Sequence, residues 1–483
     1  MDTREDFKDK RVIVLGLARS GEAAVKLLIR LGAHVLVSDQ KGEDELKDIF
    51  ARLKSEYPQV EFHLGGHPEE IFEGVDLVVV SPGVPFNIPV LERVRNKGIP
   101  VIGEIELAYR VCKAPIIAIT GTKGKSTTST LTGQILNKTF KGGKVVVAGN
   151  IGVPLSQYVL DLAESDLLVL EVSSFQLETT VHFRPAISVI LNIMTDHMDR
   201  HKDFEEYYTA KRRIFANQTK QDYIILNADD PMTSACAFLT DAKVVFFSSR
   251  QILDKGFYLK DGNIVANLHG DDSVLPSLGG TRSVLPSLGG TRIVTICRTN
   301  ELKIPGRHNL ENAMTATAVS MIYGAEPESI AEVLRTFNGL EHALEFAGEA
   351  NGIRFIDDSK ATNVVSLKAA LESIEKGVIL IIGGRDKGND YTPIIPLVKE
   401  KVKHLVIIGE SADKIQNSLG SFSVPHRAGT MDDAVSMAYK LAESGDTVLL
   451  STACASFDMF RDYAERGRIF KEAVKRIVET NAV

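Results

Sequence analysis

The chain has 483 residues, 44% hydrophobic and 25% charged, and its 56 Lys and Arg against 63 Asp and Glu leave a formal net charge of -7. That composition is ordinary for a globular protein of about three domains, at roughly 150 residues each. It excludes a general electrostatic attraction for nucleic acid. No apolar run reaches the roughly 18 residues that a membrane span needs, and the charged start MDTREDFKDKR leads into a strand rather than a signal peptide.

Short β-branched runs recur along the chain: RVIVLG, HVLVSD, VDLVVV, then PIIAITG, KVVVAGN, LLVLEVSS and ISVILN, and finally IRFIDDS, GVILIIGG, HLVIIGE and DTVLLSTA. Several are apolar on both faces, as buried parallel strands are. Helical patterns such as SGEAAVKLLIRLG and STTSTLTGQILNKT separate them. The alternation predicts an α/β fold of three domains. These are a Rossmann-like domain over 1–112, a central phosphate-loop ATPase-type domain over 113–339 and a second Rossmann-like domain over 340–483.

The first strand ends in Gly16-Leu17-Ala18-Arg19-Ser20-Gly21, and Asp39 closes the next strand 23 residues after Gly16. This is a degraded dinucleotide fingerprint, with Ala18 at the middle glycine. A bare turn and a nucleotide-diphosphate site both fit, with Asp39 accepting from a uracil or ribose in the second case. Strand IIAIT runs into Gly121-Thr122-Lys123-Gly124-Lys125-Ser126-Thr127 and then a helix. Backbone N–H groups and the helix dipole there suit phosphates, Lys125 the β/γ oxygens and Ser126 a magnesium ion. Glu171, at the end of LLVLE, reads as a second magnesium ligand or as a helix N-terminal charge.

Strand ISVILN leads to Thr195-Asp196-His197-Met198-Asp199-Arg200-His201. His197 and His201 at this spacing share a face if the segment is helical, but no third zinc ligand accompanies them, so magnesium or substrate contact is the better reading. Glu205–Arg213 is helical, and by spacing alone Lys211 is a solvated lysine. SVLPSLGGTR occurs twice in tandem, at Ser273–Arg282 and Ser283–Arg292, and reads as a duplicated surface loop or irregular hairpin. Cys112, Cys236, Cys297 and Cys454 form no CxxC pair and read as buried thiols of a reducing cytoplasm.

Taken together, SPGVP (Ser81–Pro85), GTKGKST (Gly121–Thr127), GNIG (Gly149–Gly152), LEVSSFQLE (Leu170–Glu178), DHMDRH (Asp196–His201), PGRHNLENA (Pro305–Ala313), DDSKATN (Asp357–Asn363) and STACASFD (Ser451–Asp458) resemble the Mur ligase superfamily, the ATP-dependent amide ligases of peptidoglycan synthesis. The resemblance covers nearly the whole chain. It implies three α/β domains holding a UDP-linked substrate, ATP and an incoming amino acid in turn. The implied partners are UDP-N-acetylmuramoyl-L-alanine, ATP and D-glutamate, with two Mg2+ ions. The chain is otherwise expected to be a cytoplasmic monomer without nucleic-acid or membrane partners.

By the same resemblance, Ala18, Arg19, Ser20, Asp39, Gln40 and Lys41 lie at the uracil end, and Ser81, Pro82 and Gly83 approach the diphosphate. Asn150 and His197 touch the muramoyl substrate. Lys125, Ser126 and Glu171 match the phosphate and first-magnesium residues. His197 and Lys211 match the second magnesium, Lys211 as a carbamate, and His197 is also the candidate base. Asn309, Asn312 and Asp358 match the adenosine side. Lys360, Thr362, Lys387 and Ser456 match the D-glutamate site, with Tyr463 where the family often has Phe. The implied reaction passes through an acyl phosphate. One departure stands out: the family's His-Arg-X-Glu is His342-Ala343-Leu344-Glu345 here, so an arginine facing the ATP phosphates is missing unless Arg385 substitutes. Ligation of a different amino acid, or a catalytically weakened regulatory homologue, are the alternative readings.

Overall fold

The computed structural model describes residues 5–150, 152–196, 198, 200–269, 291–304, 306–386 and 388–481. His197, Lys387 and most of the duplicated SVLPSLGGTR segment therefore lie outside the described residues.

The first sheet holds β1 (Arg11–Leu15), β2 (His34–Asp39), β3 (Glu61–Leu64), β4 (Leu77–Val80) and β5 (Val101–Gly103), all parallel, in the order β3-β2-β1-β4-β5. The second holds β6 (Ile116–Thr120), β7 (Val145–Gly149), β8 (Leu167–Glu171), β9 (Ile187–Ile190), β10 (Tyr223–Asn227), β11 (Lys243–Ser248), β12 (Gly256–Lys260), β13 (Asn263–His269) and β14 (Thr291–Arg298). Its order is β14-β13-β12-β11-β10-β9-β6-β8-β7, parallel except for the antiparallel β12-β13-β14 end. The last two residues of the duplicated segment, Thr291 and Arg292, begin β14 and pair with His269 and Leu268. The third sheet holds β15 (Glu345–Ala350), β16 (Ile353–Asp357), β17 (Val378–Gly383), β18 (Val402–Ile408), β19 (Val424–Arg427) and β20 (Thr447–Leu450), in the order β15-β16-β20-β17-β18-β19, with only β15 antiparallel.

Apolar residues on both faces of a strand are what place these sheets inside. In the third sheet Leu380, Ile382, Leu405, Ile407 and Leu449 join one core cluster, and the alternating Ile379, Ile381, Val406, Ile408 and Val448 join another. In the first sheet Val12, Val14, Val35 and Val37 face one core and Ile13, Leu15 and Leu36 the other. The former core runs without a break into Ala118, Leu168 and Leu170 of the second sheet.

Accordingly the chain divides into two compact units, 1–303 with 307–337, and 304–306 with 338–483. Two buried carboxylates on the helix Glu104–Val111 fasten the first sheet to the second. Glu104 accepts from the Ser156 N–H at 2.7 Å, and Glu106 accepts from the N–H groups of Val181, His182 and Phe183 at 2.9 to 3.1 Å. The four thiols are free; Cys236, Cys297 and Cys454 are buried, but Cys112 is only half-buried, which corrects the reading of it as a buried thiol. No helix among the described residues is long and apolar enough to cross a membrane.

Candidate active site

In the first unit the phosphate loop joins β6 to the helix Lys125–Thr139, as the glycines and hydroxyls of GTKGKST require. Gly124 is the left-handed cap of that helix, at φ 85°, and a Cβ there would lie 2.4 Å from Asn312 Oδ1. Asn312 is buried behind the loop, where it accepts from Thr128 Oγ1 at 3.0 Å and donates to Asn309 Oδ1 at 3.2 Å. The Thr122 and Lys123 N–H groups both donate to Asn192 Oδ1, at 3.1 and 2.9 Å. Thr122 Oγ1 bonds Met194 and, at 2.9 Å, the Tyr207 hydroxyl. Thr122 therefore shapes the loop, and the N–H groups at the start of a helix, which have no intrahelical acceptors, suit an anion there.

Two ammonium groups converge on one carbonyl. Lys125 Nζ donates to Gly121 O and Thr122 O, and Lys211 Nζ donates to the same Gly121 O, each at 2.9 Å. Lys211 lies on the helix Phe204–Arg212, 1% exposed, 4.6 Å above the Tyr207 ring. The reading of it as solvated is thus corrected. Burial, with Lys125 second, pulls its ammonium well below the usual lysine range, against the opposing pull of Asp196 and Glu171. Glu171 ends β8 and is buried; its Oε1 accepts from Asn150 Nδ2 at 2.7 Å, while its Oε2 has no hydrogen-bond partner among the described residues. An orphaned buried carboxylate oxygen at the end of the strand beside β6, which the phosphate loop follows, fits a divalent cation.

His201 precedes the helix Phe204–Arg212, which Asp203 caps; the reading that it shares a helix face with His197 falls on a residue outside the described ones. His201 is buried, its Nε2 3.0 Å from Ser174 Oγ and its Nδ1 3.2 Å from Glu178, between the rings of Phe175 and Tyr207. Burial pushes the Glu178 carboxyl up to about 7, with Arg200 opposing. Arg200, which sequence reasoning left without a role, donates to the carbonyls of Pro82 and Val84 at 3.2 and 2.8 Å, tying this loop to Ser81-Pro82-Gly83 after β4.

Ser81 donates to Gly16 O at 2.6 Å, and Arg19, at the start of the helix Arg19–Arg30 capped by Ala18, donates to Gly152 O beside Asn150. Ser20 lies on the same helix, and Gln40 and Lys41 follow β2. Asp39 spends its carboxylate locally, accepting from Leu17 N–H at 2.5 Å and Lys41 N–H at 2.8 Å. The loops after β1, β4, β7 and β9 of the two sheets thus meet around one region of the first unit.

In the second unit, Asp358, Lys360 and Thr362 follow β16, and Ser456 follows β20, the neighbouring strand. Asp358 is buried, accepting from Ser451 Oγ at 2.7 Å and Leu344 N–H at 3.2 Å. His342, at φ 63°, is held by Asp357 through Nδ1 at 2.6 Å. Glu341, His342 and Glu345 are close enough to share a metal ion, but the Lys471 ammonium already bridges the two carboxylates, at 2.8 and 3.0 Å. Arg385 holds Glu410 with both arms of its fork, at 3.1 and 3.0 Å. Tyr463 opens the helix Tyr463–Thr480.

Burial lifts the Asp358 carboxyl to about 7, although Ser451 and Leu344 donate to it. A folded value above the unfolded one of about 3.9 means that the stability this group allows is full below roughly pH 4 and declines as pH rises through 7. Asp358→Asn is expected to flatten that decline, read as melting temperature against pH from 4 to 8. Parallel profiles for the two proteins would contradict the assignment.

Comparison with known proteins agrees with this geometry. The Mur ligase MurD-like N-terminal domain matches residues 10–103, the Mur ligase middle domain 119–320, and the Mur ligase glutamate ligase domain 344–454. The UDP-N-acetylmuramoylalanine–D-glutamate ligase of Thermoanaerobacter sp. (strain X514) is 44% identical over 476 residues, covering 98% of this chain and 99% of that protein. Its namesake from Geotalea daltonii is 42% identical, covering 98% of each. Among solved structures, MurF from Acinetobacter baumannii has a TM-score of 0.56 at 17% identity, covering 98% of this chain and 94% of that one. MurC from Thermotoga maritima has 0.53 at 20% identity, covering 97% and 99%; both similarities speak to the fold. With three successive domain matches and full-length relatives above 40% identity, the chain belongs to the Mur ligase family.

Proposed function

We propose that the protein joins D-glutamate to UDP-N-acetylmuramoyl-L-alanine with hydrolysis of ATP to ADP and phosphate, the reaction that its full-length relatives are named for. The observation that carries the reading is the convergence of Lys125 and Lys211 on Gly121 O beside Glu171. The UDP-linked substrate's carboxylate attacks the γ-phosphorus of ATP, ADP leaves, and the amine of D-glutamate attacks the resulting acyl phosphate and expels phosphate. A carboxylate approaching a polyphosphate faces like-charge repulsion, so positive charge held in a fixed place is the main requirement. Lys125 and the helix N–H groups supply it, and Mg2+ ions held by Ser126 and Glu171, and by His197 with a carbamylated Lys211, would neutralise the phosphate oxygens.

An amine driven toward its neutral form by burial is the form that reacts with CO2, which supports the carbamate. We assign 1–112 to the UDP end, 113–339 to ATP and 340–483 to the amino acid, and expect a cytoplasmic monomer. Phosphate release measured with each amino acid in turn tests this; release that does not depend on D-glutamate overturns it, and no release at all favours the regulatory reading.

Ala343 supports a weakened phosphate contact, because Arg385, a candidate substitute for the missing arginine, is engaged by Glu410. A hydrogen bond to a charged group is worth about 1.5–3 kcal/mol, so Ala343→Arg is expected to raise kcat/KM for ATP by about tenfold or more. An unchanged value would show that position 343 plays no part.

A further inference from the structure

The sequence of the last helix opens Asp462-Tyr463-Ala464-Glu465-Arg466-Gly467, with Asp462 capping it through the Glu465 N–H at 2.8 Å. An arginine in the first turn stands against the helix dipole, and Arg466 is also 1% exposed, among the largest fully buried side chains described. A buried cation is retained only where its hydrogen bonds are well made. Here Nε donates to Ser359 Oγ at 2.9 Å, Nη2 to Ser359 O at 2.8 Å and Nη1 to Cys454 O at 3.1 Å. All three acceptors are neutral oxygens, and the carboxylates of Asp458, Asp357 and Asp358 favour its charge without taking a hydrogen bond from it.

What the three bonds do is join two loops. Ser359 immediately precedes Lys360, and Cys454 lies two residues before Ser456. The Ser359 hydroxyl in turn donates to Tyr463 O at 2.8 Å, and Thr452 Oγ1 donates to both Ala361 O and Cys454 O at 3.2 Å. The next helix residue must be glycine for the helix to come so close: a Cβ on Gly467 would lie 2.1 Å from His342 Nδ1 and 2.7 Å from Asp357 Oδ2.

We infer that Arg466 is the positioning residue of the amino-acid pocket, clasping the loops after β16 and β20 so that Lys360, Thr362, Ser456 and Tyr463 keep one mutual geometry toward an anionic amino acid. The inference rests on the function proposed above. It requires no contact between Arg466 and the substrate. Lysine cannot replace it, because one ammonium on a flexible stem cannot hold both loops in a fixed plane.

The test uses the full chain with Arg466→Lys, Arg466→Met and Ser359→Ala, the last keeping the guanidinium and removing one acceptor. KM for D-glutamate is expected to rise roughly 10- to 100-fold in the arginine variants, as for a displacement of about 1 Å in a binding group, and less in Ser359→Ala. KM for ATP and for the UDP-linked substrate stays within about twofold. Acyl phosphate formed without amino acid, trapped by hydroxylamine as the hydroxamate, continues at the wild-type rate. If Arg466→Met does not fold, Arg466→Lys and Ser359→Ala decide. An unchanged KM for D-glutamate, or a loss of hydroxamate in step with overall turnover, overturns the positioning role. A wild-type protein without D-glutamate-dependent phosphate release overturns the function it rests on.

Discussion

Lys125→Met is expected to lower ADP formation roughly a thousandfold while the protein still folds. Removing one preorganised donor from a charge-developing site commonly costs a factor of about 100 to 1,000, and Lys125 contributes a full charge as well as a donor. The loop around it does not depend on that charge. Its shape is set by Asn192, which takes the Thr122 and Lys123 N–H groups and returns a bond to Lys123 O at 3.1 Å. Gly121 O keeps its bond from Lys211 when Lys125 is gone. The measurements are ADP release under saturating substrates and the melting temperature. A fall of less than tenfold, with folding intact, would remove Lys125 from the reaction.

Most of the strands read from the sequence are interior ones, because an unbroken apolar run such as VVV or ILII reports two buried faces directly, although YIILN of β10 is such a run and was not singled out. The edge strand β7 was legible from its VVV, but other edge strands were not. EFHL of β3 and VPHR of β19 carry polar residues and pair on one side only, and EFAGEA of β15 has no apolar run at all. Among site residues, Lys125, Ser126 and Glu171 are legible because their chemistry is local: a turn, a helix start, the last residue of a strand. Lys211 read as solvated because nothing near it in sequence announces burial. Asn192 and Arg466 carried no signal, since their partners lie 69 and 107 residues away. Asp39 is a mixed case: its spacing was legible, but that its two oxygens each accept from a backbone N–H, of Leu17 and of Lys41, was not.

Lys211→Met is the sharper experiment, because activity and stability should move in opposite directions. A lysine whose folded-state value is depressed contributes stability that is present above its unfolded value of about 10.4 and lost as pH falls. At neutral pH the wild-type side chain is held in a setting that disfavours its charge, through burial first and Lys125 second. Methionine fills a similar volume without that penalty, so the variant should melt at or above the wild-type temperature near pH 7. Turnover should nonetheless fall about 100-fold or more, since the carbamate that would hold a Mg2+ ion beside the transferring phosphoryl group can no longer form. With 13C-bicarbonate the wild-type protein should show a carbamate carbon resonance that Lys211→Met lacks. A variant that melts lower and loses activity in proportion would make Lys211 a structural residue. A variant that is stable, inactive and without the carbamate signal would place the modified lysine in the chemistry, which neither its sequence spacing nor its hydrogen bond to Gly121 could do alone.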